Sequence, residues 1–256
     1  VAWEGPASTA EGWAAALARV APFGAGAPRT VHADGVRAAA WPAPARRARA
    51  PESPIVHDVA RGVVALLDGW LGGRRTLAEA LGSDASPDSS DAALAWAAYR
   101  RWGGACGARL VGEFALIVVD LTRRSVFAAR DALGVRPLYY RVHDGGIDLA
   151  SGPAAPLIAR NAARTVDFGY LAERLCGQSI DARSTLWRGV SRLPGGQSLR
   201  AERQGVRTTA WWRPHDLPDL SATDQAEGLA RLRSVLSDAV ADASDPAVEV
   251  ARAIQA

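Results

Sequence analysis

Few side chains in this sequence are of the types that carry out covalent or metal chemistry. All 30 positively charged side chains are arginine, so a Schiff base or a P-loop lysine is excluded within these 256 residues. Cys106 and Cys176 have no CxxC spacing and no histidine pair nearby, which argues against a zinc site. The histidines are isolated, as is typical of surface and turn positions: His32, His57, His143 and His215. These residue types therefore indicate neither a zinc site nor a histidine base.

A second candidate for chemistry is the Arg-Asp pair at positions 130 and 131, which opens a turn. Gly134 supplies a backbone conformation that other residues resist, and Pro137 fixes the start of the following strand. Arg130 and Asp131 are expected to pair and to hold this turn. The pattern favours a structural turn over a catalytic one.

The hydrophobic pattern around these residues predicts an α+β domain. A β-branched run over 63–67 predicts a strand that ends in a turn at Asp68-Gly69. Ser89 or Ser90 is placed to cap a helix over 91–101. Further strands are predicted at 114–119, 125–129, 138–142, 147–150, 186–193 and 197–200, and helices at 75–81, 153–160, 167–175 and 229–243. A Pro/Asp-rich linker after Trp211 predicts a domain boundary near residue 215.

The charge pattern gives no indication of a nucleic-acid or membrane partner. The net charge is only +3, and the 27 acidic residues are spread along the chain. Arg46, Arg47 and Arg49 lie in a Pro/Ala stretch and are interpreted as a solvated loop. No apolar run is long enough to span a bilayer, and the amino terminus has no signal-peptide pattern. The sparse cysteines favour a reducing compartment, and we expect a cytoplasmic protein.

Several segments, taken in order, resemble the glutaminase-type domain of the asparagine synthetase family. They are 110–115, the Arg-Asp-x-x-Gly-x-x-Pro-Leu-Tyr pattern at 130–139, 185–190 with Leu-Pro-Gly-Gly at 193–196, and Trp-Trp-Arg-Pro at 211–214. The resemblance implies an Ntn-hydrolase-like four-layer αββα sandwich over 1–215. Over 216–256 it implies a linker, a helix and the beginning of an α/β ATP-pyrophosphatase (synthetase) domain, with Val250 at the strand that leads to the phosphate loop.

The sequence departs from the active glutaminases of that family at two positions. Those enzymes use an amino-terminal cysteine, and position 1 here is valine, so we expect no glutamine hydrolysis by that mechanism for the chain as written. The family's Asn-Gly-Glu turn, which supplies the oxyanion hole, aligns with Asp68-Gly69-Trp70, and an ionised Asp68 would repel an oxyanion. Asp91 aligns with the aspartate that binds the glutamine α-amine. Asp68, Gly69 and Asp91 are therefore the candidate substrate-binding residues.

The resemblance implies an ATP-dependent C–N ligase that needs ATP and magnesium and adenylates a carboxylate before an amine attacks it. Loss of the nucleophile and of an oxyanion donor is most similar to the lasso peptide cyclases, whose substrates are peptides. The expected ligands are a peptide or small amino acid, and the expected partners are a peptidase or a leader-binding protein. Two alternatives stay open: a glutamine-hydrolysing asparagine synthetase that lacks its true amino terminus, and a non-catalytic binding module of the same fold.

Overall fold

The computed structural model describes residues 2–3, 10–20, 27–41, 53–144, 146–155, 162–178, 181–216 and 224–243. The strands are β1 (Ala2–Trp3), β2 (Arg29–Ala33), β3 (Val36–Ala40), β4 (Ile55–Asp58), β5 (Val63–Leu71), β6 (Gly112–Asp120), β7 (Ser125–Arg130), β8 (Tyr139–His143), β9 (Gly146–Ala150), β10 (Ser191–Arg192), β11 (Gln197–Glu202) and β12 (Gly205–Ala210). The helices are α1 (Ala10–Val20), α2 (Arg74–Leu81), α3 (Asp91–Trp102), α4 (Phe168–Leu175) and α5 (Gln225–Ala243). None of these helices is both long and apolar enough to cross a membrane.

A six-stranded antiparallel sheet in the order β12-β11-β7-β6-β5-β4 forms the centre of the fold. Its central strands β5 and β6 are apolar on both faces because each face is covered. Along β5, Val64 and Leu66 belong to one core, whereas Ala65 and Leu67 belong to another. This alternation with a period of two residues assigns every residue of the strand to one side of the sheet.

The two cores define the layers of the domain. The core that contains Leu67 is closed by α2 and α3, through residues such as Leu77 and Leu94, and forms the helix side of the sheet. The core that contains Leu66 is closed by strands of two three-stranded sheets, through residues such as Ala38 and Leu149, and forms the strand side. The described residues thus place helices, the large sheet and further strands in succession.

A helix also contacts the outer face of the strand layer. Ala16 of α1 is buried together with Ala155, and Ala150 packs against them. Because Leu149 faces the core between the sheets, its neighbour Ala150 faces the other way. The order of layers is therefore helix, sheet, sheet, helix, and the predicted α+β, Ntn-like αββα architecture is confirmed.

Two local predictions were wrong. The chain does not turn at Asp68-Gly69, because β5 continues in register to Leu71, opposite Gly112. Of the strand predicted over 186–193, only Ser191–Arg192 forms a strand, and Trp187 makes an isolated bridge with Val166. The preceding residues instead form a loop in which the hydroxyl of Thr185 donates to the carbonyl of Val190 at 2.8 Å. The helices predicted at 75–81, 91–101 and 167–175 are confirmed, and the one at 153–160 lies mostly outside the described residues.

Candidate functional site

Asp68 forms an ion pair with Arg136 near the carboxyl-terminal end of β5. Its Oδ1 lies 3.8 Å from Nη1 of Arg136, and half of the Asp68 side chain is exposed. Alternation along β5 places Asp68 on the strand side of the sheet, together with Val64 and Leu66. Burial raises the pKa of Asp68 above its ordinary value, and the charge of Arg136 opposes this shift without cancelling it. The site therefore holds a carboxylate whose charge is only partly compensated.

Position 69 of β5 accepts only glycine. Its φ is +123°, and a Cβ atom would lie 1.9 Å from the carbonyl oxygen of Glu113 on β6. The close approach lets β5 run through the predicted turn without losing its pairing with β6. The pairing of β5 with β6 thus explains the glycine at position 69 without reference to a ligand.

Arg130 and Asp131 hold the turn that delivers Arg136 to Asp68. The guanidinium of Arg130 donates to the carbonyls of Gly134, Arg136 and Leu193, the last at 2.6 Å. The carboxylate of Asp131 accepts from the backbone N–H groups of Val135 at 2.9 Å and Arg136 at 3.1 Å. In the described part of the chain no ion pair joins the two side chains. The predicted ion pair between Arg130 and Asp131 was therefore wrong, because both side chains bind backbone groups instead.

Two segments that are far apart in the sequence meet at this turn. A Cβ atom on Gly195 would lie 2.6 Å from the backbone nitrogen of Gly134, and Gly196 donates its N–H to the carbonyl of Asp131 at 2.8 Å. The carbonyl of Gly196 in turn accepts from the N–H of Trp211 at 2.8 Å. The Arg-Asp turn, the Gly-Gly segment and the Trp-Trp segment are therefore one packed unit behind Arg136.

Asp91 belongs to the helix layer of the domain. It is the first residue of α3, and its side chain is 14% exposed. Arg74 of α2 forms an ion pair with its carboxylate and also donates to the carbonyls of Pro87, at 3.0 Å, and Ser89. Ser90 caps the helix by accepting from the N–H of Ala93, as predicted. The structure pairs Asp68 with Arg136 and Asp91 with Arg74, and it fixes Asp91 at the start of α3.

The remaining candidate residues form no centre in the described part of the chain. Val250 and the cluster Arg46, Arg47 and Arg49 lie outside the described residues. No group of three or more histidine, cysteine or acidic residues in the described ranges could hold a metal ion. Burial raises the pKa of the Cys106 thiol to about 12, so this thiol is protonated at neutral pH.

Arg136 is the residue of the site that sequence reasoning missed. In the Arg-Asp-x-x-Gly-x-x-Pro pattern, Arg136 is one of the positions written x, for which no residue type is specified. The one available signal was its position directly before Pro137, where the chain is restricted to extended conformations. Its partner could not be read from the sequence, since 68 and 136 belong to different strands and loops.

The comparisons with known proteins agree on one kind of domain. Residues 74–212 match the family of glutamine amidotransferase domains. A protein named putative asparagine synthetase [glutamine-hydrolyzing] from Mycobacterium bovis is 31% identical over 152 residues, which are 57% of this chain and 23% of that protein. Asparagine synthetase [glutamine-hydrolyzing] 3 of Bacillus subtilis is 28% identical over 153 residues, 59% of this chain and 25% of that protein. The chain therefore spans about a quarter of the length of these relatives.

Further similarity extends to a fungal enzyme and to a solved structure. Amidase chyE of Penicillium rubens is 29% identical over 164 residues, 61% of this chain and 23% of that protein. A solved glutamine phosphoribosylpyrophosphate amidotransferase of Bacillus subtilis has a TM-score of 0.43 and 17% identity, and the match covers 62% of this chain and 31% of that one.

Proposed function

The chain belongs to the glutamine amidotransferase domain family, and from this membership we propose that it is the amidotransferase-like domain of an ATP-dependent, amide-forming ligase of the asparagine synthetase type. We propose further that this domain does not hydrolyse glutamine. The ligase would take the amine from its substrate, as a lasso peptide cyclase does, and not from glutamine.

The observation that carries this proposal is the carboxylate of Asp68. Amide hydrolysis by an amidotransferase needs hydrogen-bond donors at the point where negative charge develops, and removing one donor costs roughly 3–4 kcal/mol of transition-state stabilisation. Asp68, next to Gly69, occupies the position that resembles the family's oxyanion turn. When ionised it offers only acceptors there, and Arg136 lies at 3.8 Å from its Oδ1.

The position of Asp91 supports the same conclusion. An aspartate that binds the α-ammonium group of glutamine must present its carboxylate to the ligand. Here the carboxylate of Asp91 is paired with Arg74, which also ties down the loop over 87–89. A cationic side chain in this place would compete with the ammonium group of a ligand.

The proposed chemistry of the whole protein lies outside the described residues. ATP with magnesium would adenylate a substrate carboxylate in a synthetase domain, whose first elements we propose for residues 216–256, with Val250 close to the phosphate loop. An amine already present on the same peptide would then attack the acyl adenylate, displace AMP and form the amide. In this proposal the amidotransferase-like domain is a scaffold that holds the peptide, a leader-binding protein or a partner peptidase.

Two assays test the proposal. In the first, this chain is incubated with glutamine and the release of glutamate is measured; we expect none above background. In the second, the full-length protein is assayed for pyrophosphate release from ATP with aspartate or with a peptide that carries an internal Asp or Glu. Turnover with the peptide alone supports the cyclase proposal, and turnover with aspartate alone overturns it.

A glutamine-hydrolysing asparagine synthetase is the second candidate, and the similarity to two proteins with that name favours it. Glutamate release that rises further in the Asp68→Asn variant would support this candidate. A third possibility, a non-catalytic binding module, requires that the full-length protein releases no pyrophosphate with either substrate.

A further inference from the structure

A cleft of about 790 Å³ opens on the helix side of the large sheet, at the end opposite to Asp68. One wall is α3, with Trp96, Tyr99 and Arg100, and the floor includes Val63 and Val118. Val63 is five residues before Asp68 on β5, which corresponds to roughly 17 Å at about 3.4 Å per residue. The volume is in the range of small-molecule sites, about 300–1,000 Å³. The cleft is therefore separate from the Asp68 site in both position and face.

The lining of the cleft contains more arginine than carboxylate. Two carboxylates line it, Asp120 and Glu202, against five arginines: Arg61, Arg100, Arg123, Arg200 and Arg203. Arg61 and Arg100 are paired with Asp58 and Asp84, which lie outside the lining. Arginine is always charged and presents planar donors that match phosphate and carboxylate oxygens in pairs. A low net charge on the whole chain thus conceals one local concentration of positive charge.

The ion pairs that hold these arginines are weak enough to be exchanged for a ligand. Arg123 lies 3.2 Å from Asp120 in a pair whose arginine side chain is 84% exposed, and Arg200 lies 3.5 Å from Glu202. Exposed pairs of this kind contribute roughly 0–1 kcal/mol. A ligand with two or more negative charges can therefore replace the carboxylates at little cost.

An aromatic wall lies beside the arginines. The rings of Trp96 and Tyr99 stack at 6.1 Å between centroids, with 25° between their planes. Trp96 is fixed by a hydrogen bond from its indole Nε1 to Asp58 at 3.2 Å, and Tyr99 is supported from behind by Phe127 at 4.7 Å. Trp96 and Tyr99 are both partly exposed, and aromatic rings of this kind favour stacking with a planar ligand.

We propose that this cleft binds a nucleoside phosphate, with its base against Trp96 and its phosphates on Arg200 and Arg203. An acidic peptide would use the arginines and leave the aromatic wall unused, and inorganic phosphate would do the same. A nucleoside phosphate uses both. Binding in this cleft does not depend on the chemistry at Asp68. The nucleotide-binding proposal can therefore be tested separately from the proposed ligase function.

The test is isothermal titration of the 256-residue chain with ADP, pyrophosphate, adenosine and a tetraglutamate peptide. ADP is expected to bind more tightly than the three others and to weaken as salt rises, because the contacts are electrostatic. Equal binding of ADP and pyrophosphate overturns the role of the aromatic wall. Tighter binding of tetraglutamate overturns the proposal in favour of an acidic protein partner, and the absence of any binding overturns it altogether.

Matched variants locate the bound nucleotide. Arg200→Gln and Arg203→Gln should each weaken ADP about tenfold, the effect of one charge-assisted contact. Glu202→Gln should tighten ADP by about two- to threefold, because it removes a competing carboxylate. Arg164→Gln changes an exposed arginine outside the cleft and should leave the affinity unchanged. A loss of affinity in a Glu202→Gln variant whose circular dichroism spectrum is unchanged would contradict the assignment.

Discussion

Replacing Arg130 by methionine should destabilise the domain by about 3 kcal/mol. Methionine keeps most of the apolar stem but offers no donor to the carbonyls of Gly134, Arg136 and Leu193. A buried acceptor that loses its partner costs about 1–3 kcal/mol. The hydrogen bond to Leu193 is buried and the other two are partly buried, so the full sum of roughly 3–9 kcal/mol is an upper range. The return of the guanidinium to water offsets part of this loss, since burial already lowers the pKa of Arg130 and so disfavours its charged form.

The assay for this prediction is urea unfolding followed by circular dichroism. With a slope of roughly 2–3 kcal/mol per molar urea, a loss of about 3 kcal/mol lowers the midpoint by about 1–1.5 M. Arg123→Met is the matched control, because Arg123 is exposed and its pair with Asp120 contributes roughly 0–1 kcal/mol. If Arg130→Met and Arg123→Met unfold at the same midpoint, the network does not hold the turn and the reasoning is refuted.

Three further predictions concern the site and the core. Gly69→Ala should cost several kcal/mol, because its Cβ would lie 1.9 Å from the carbonyl oxygen of Glu113; an unfolding midpoint close to that of the unchanged chain would contradict this. Asp68→Asn should stabilise the domain more at pH 7 than at pH 4, since a raised pKa means that the folded state binds the proton more tightly and loses stability as pH rises; thermal melts at the two pH values check the sign. A thiol reagent at pH 8 should label Cys176, which is exposed, and spare Cys106, whose pKa is about 12, until the chain is unfolded; labelling of both native thiols, seen by mass spectrometry, would disprove it.

Two predictions about the site residues were wrong because they used only neighbouring residues in the sequence. The prediction of a turn at Asp68-Gly69 treated glycine as a terminator, whereas here it permits a close approach of β5 to β6. The expected Arg130–Asp131 pair rested on adjacency, whereas residues adjacent in a strand or turn point in different directions and find other partners. Both errors have one cause. A local sequence pattern gives the residue types, but it does not give the residues from distant parts of the chain that contact them.

The sequence by itself determined the class of the domain and the turn motif. The β-branched and apolar runs, the cap at Ser89 or Ser90 and the Arg-Asp-x-x-Gly-x-x-Pro pattern are properties of contiguous residues, so they can be read without a fold. Only the tertiary structure decided that Arg136 pairs with Asp68, that Asp91 is clamped by Arg74, and that arginines from four separate segments line one cleft. These are contacts between residues far apart in the chain, and their partners are chosen by the register of the strands and the packing of helices on the sheet.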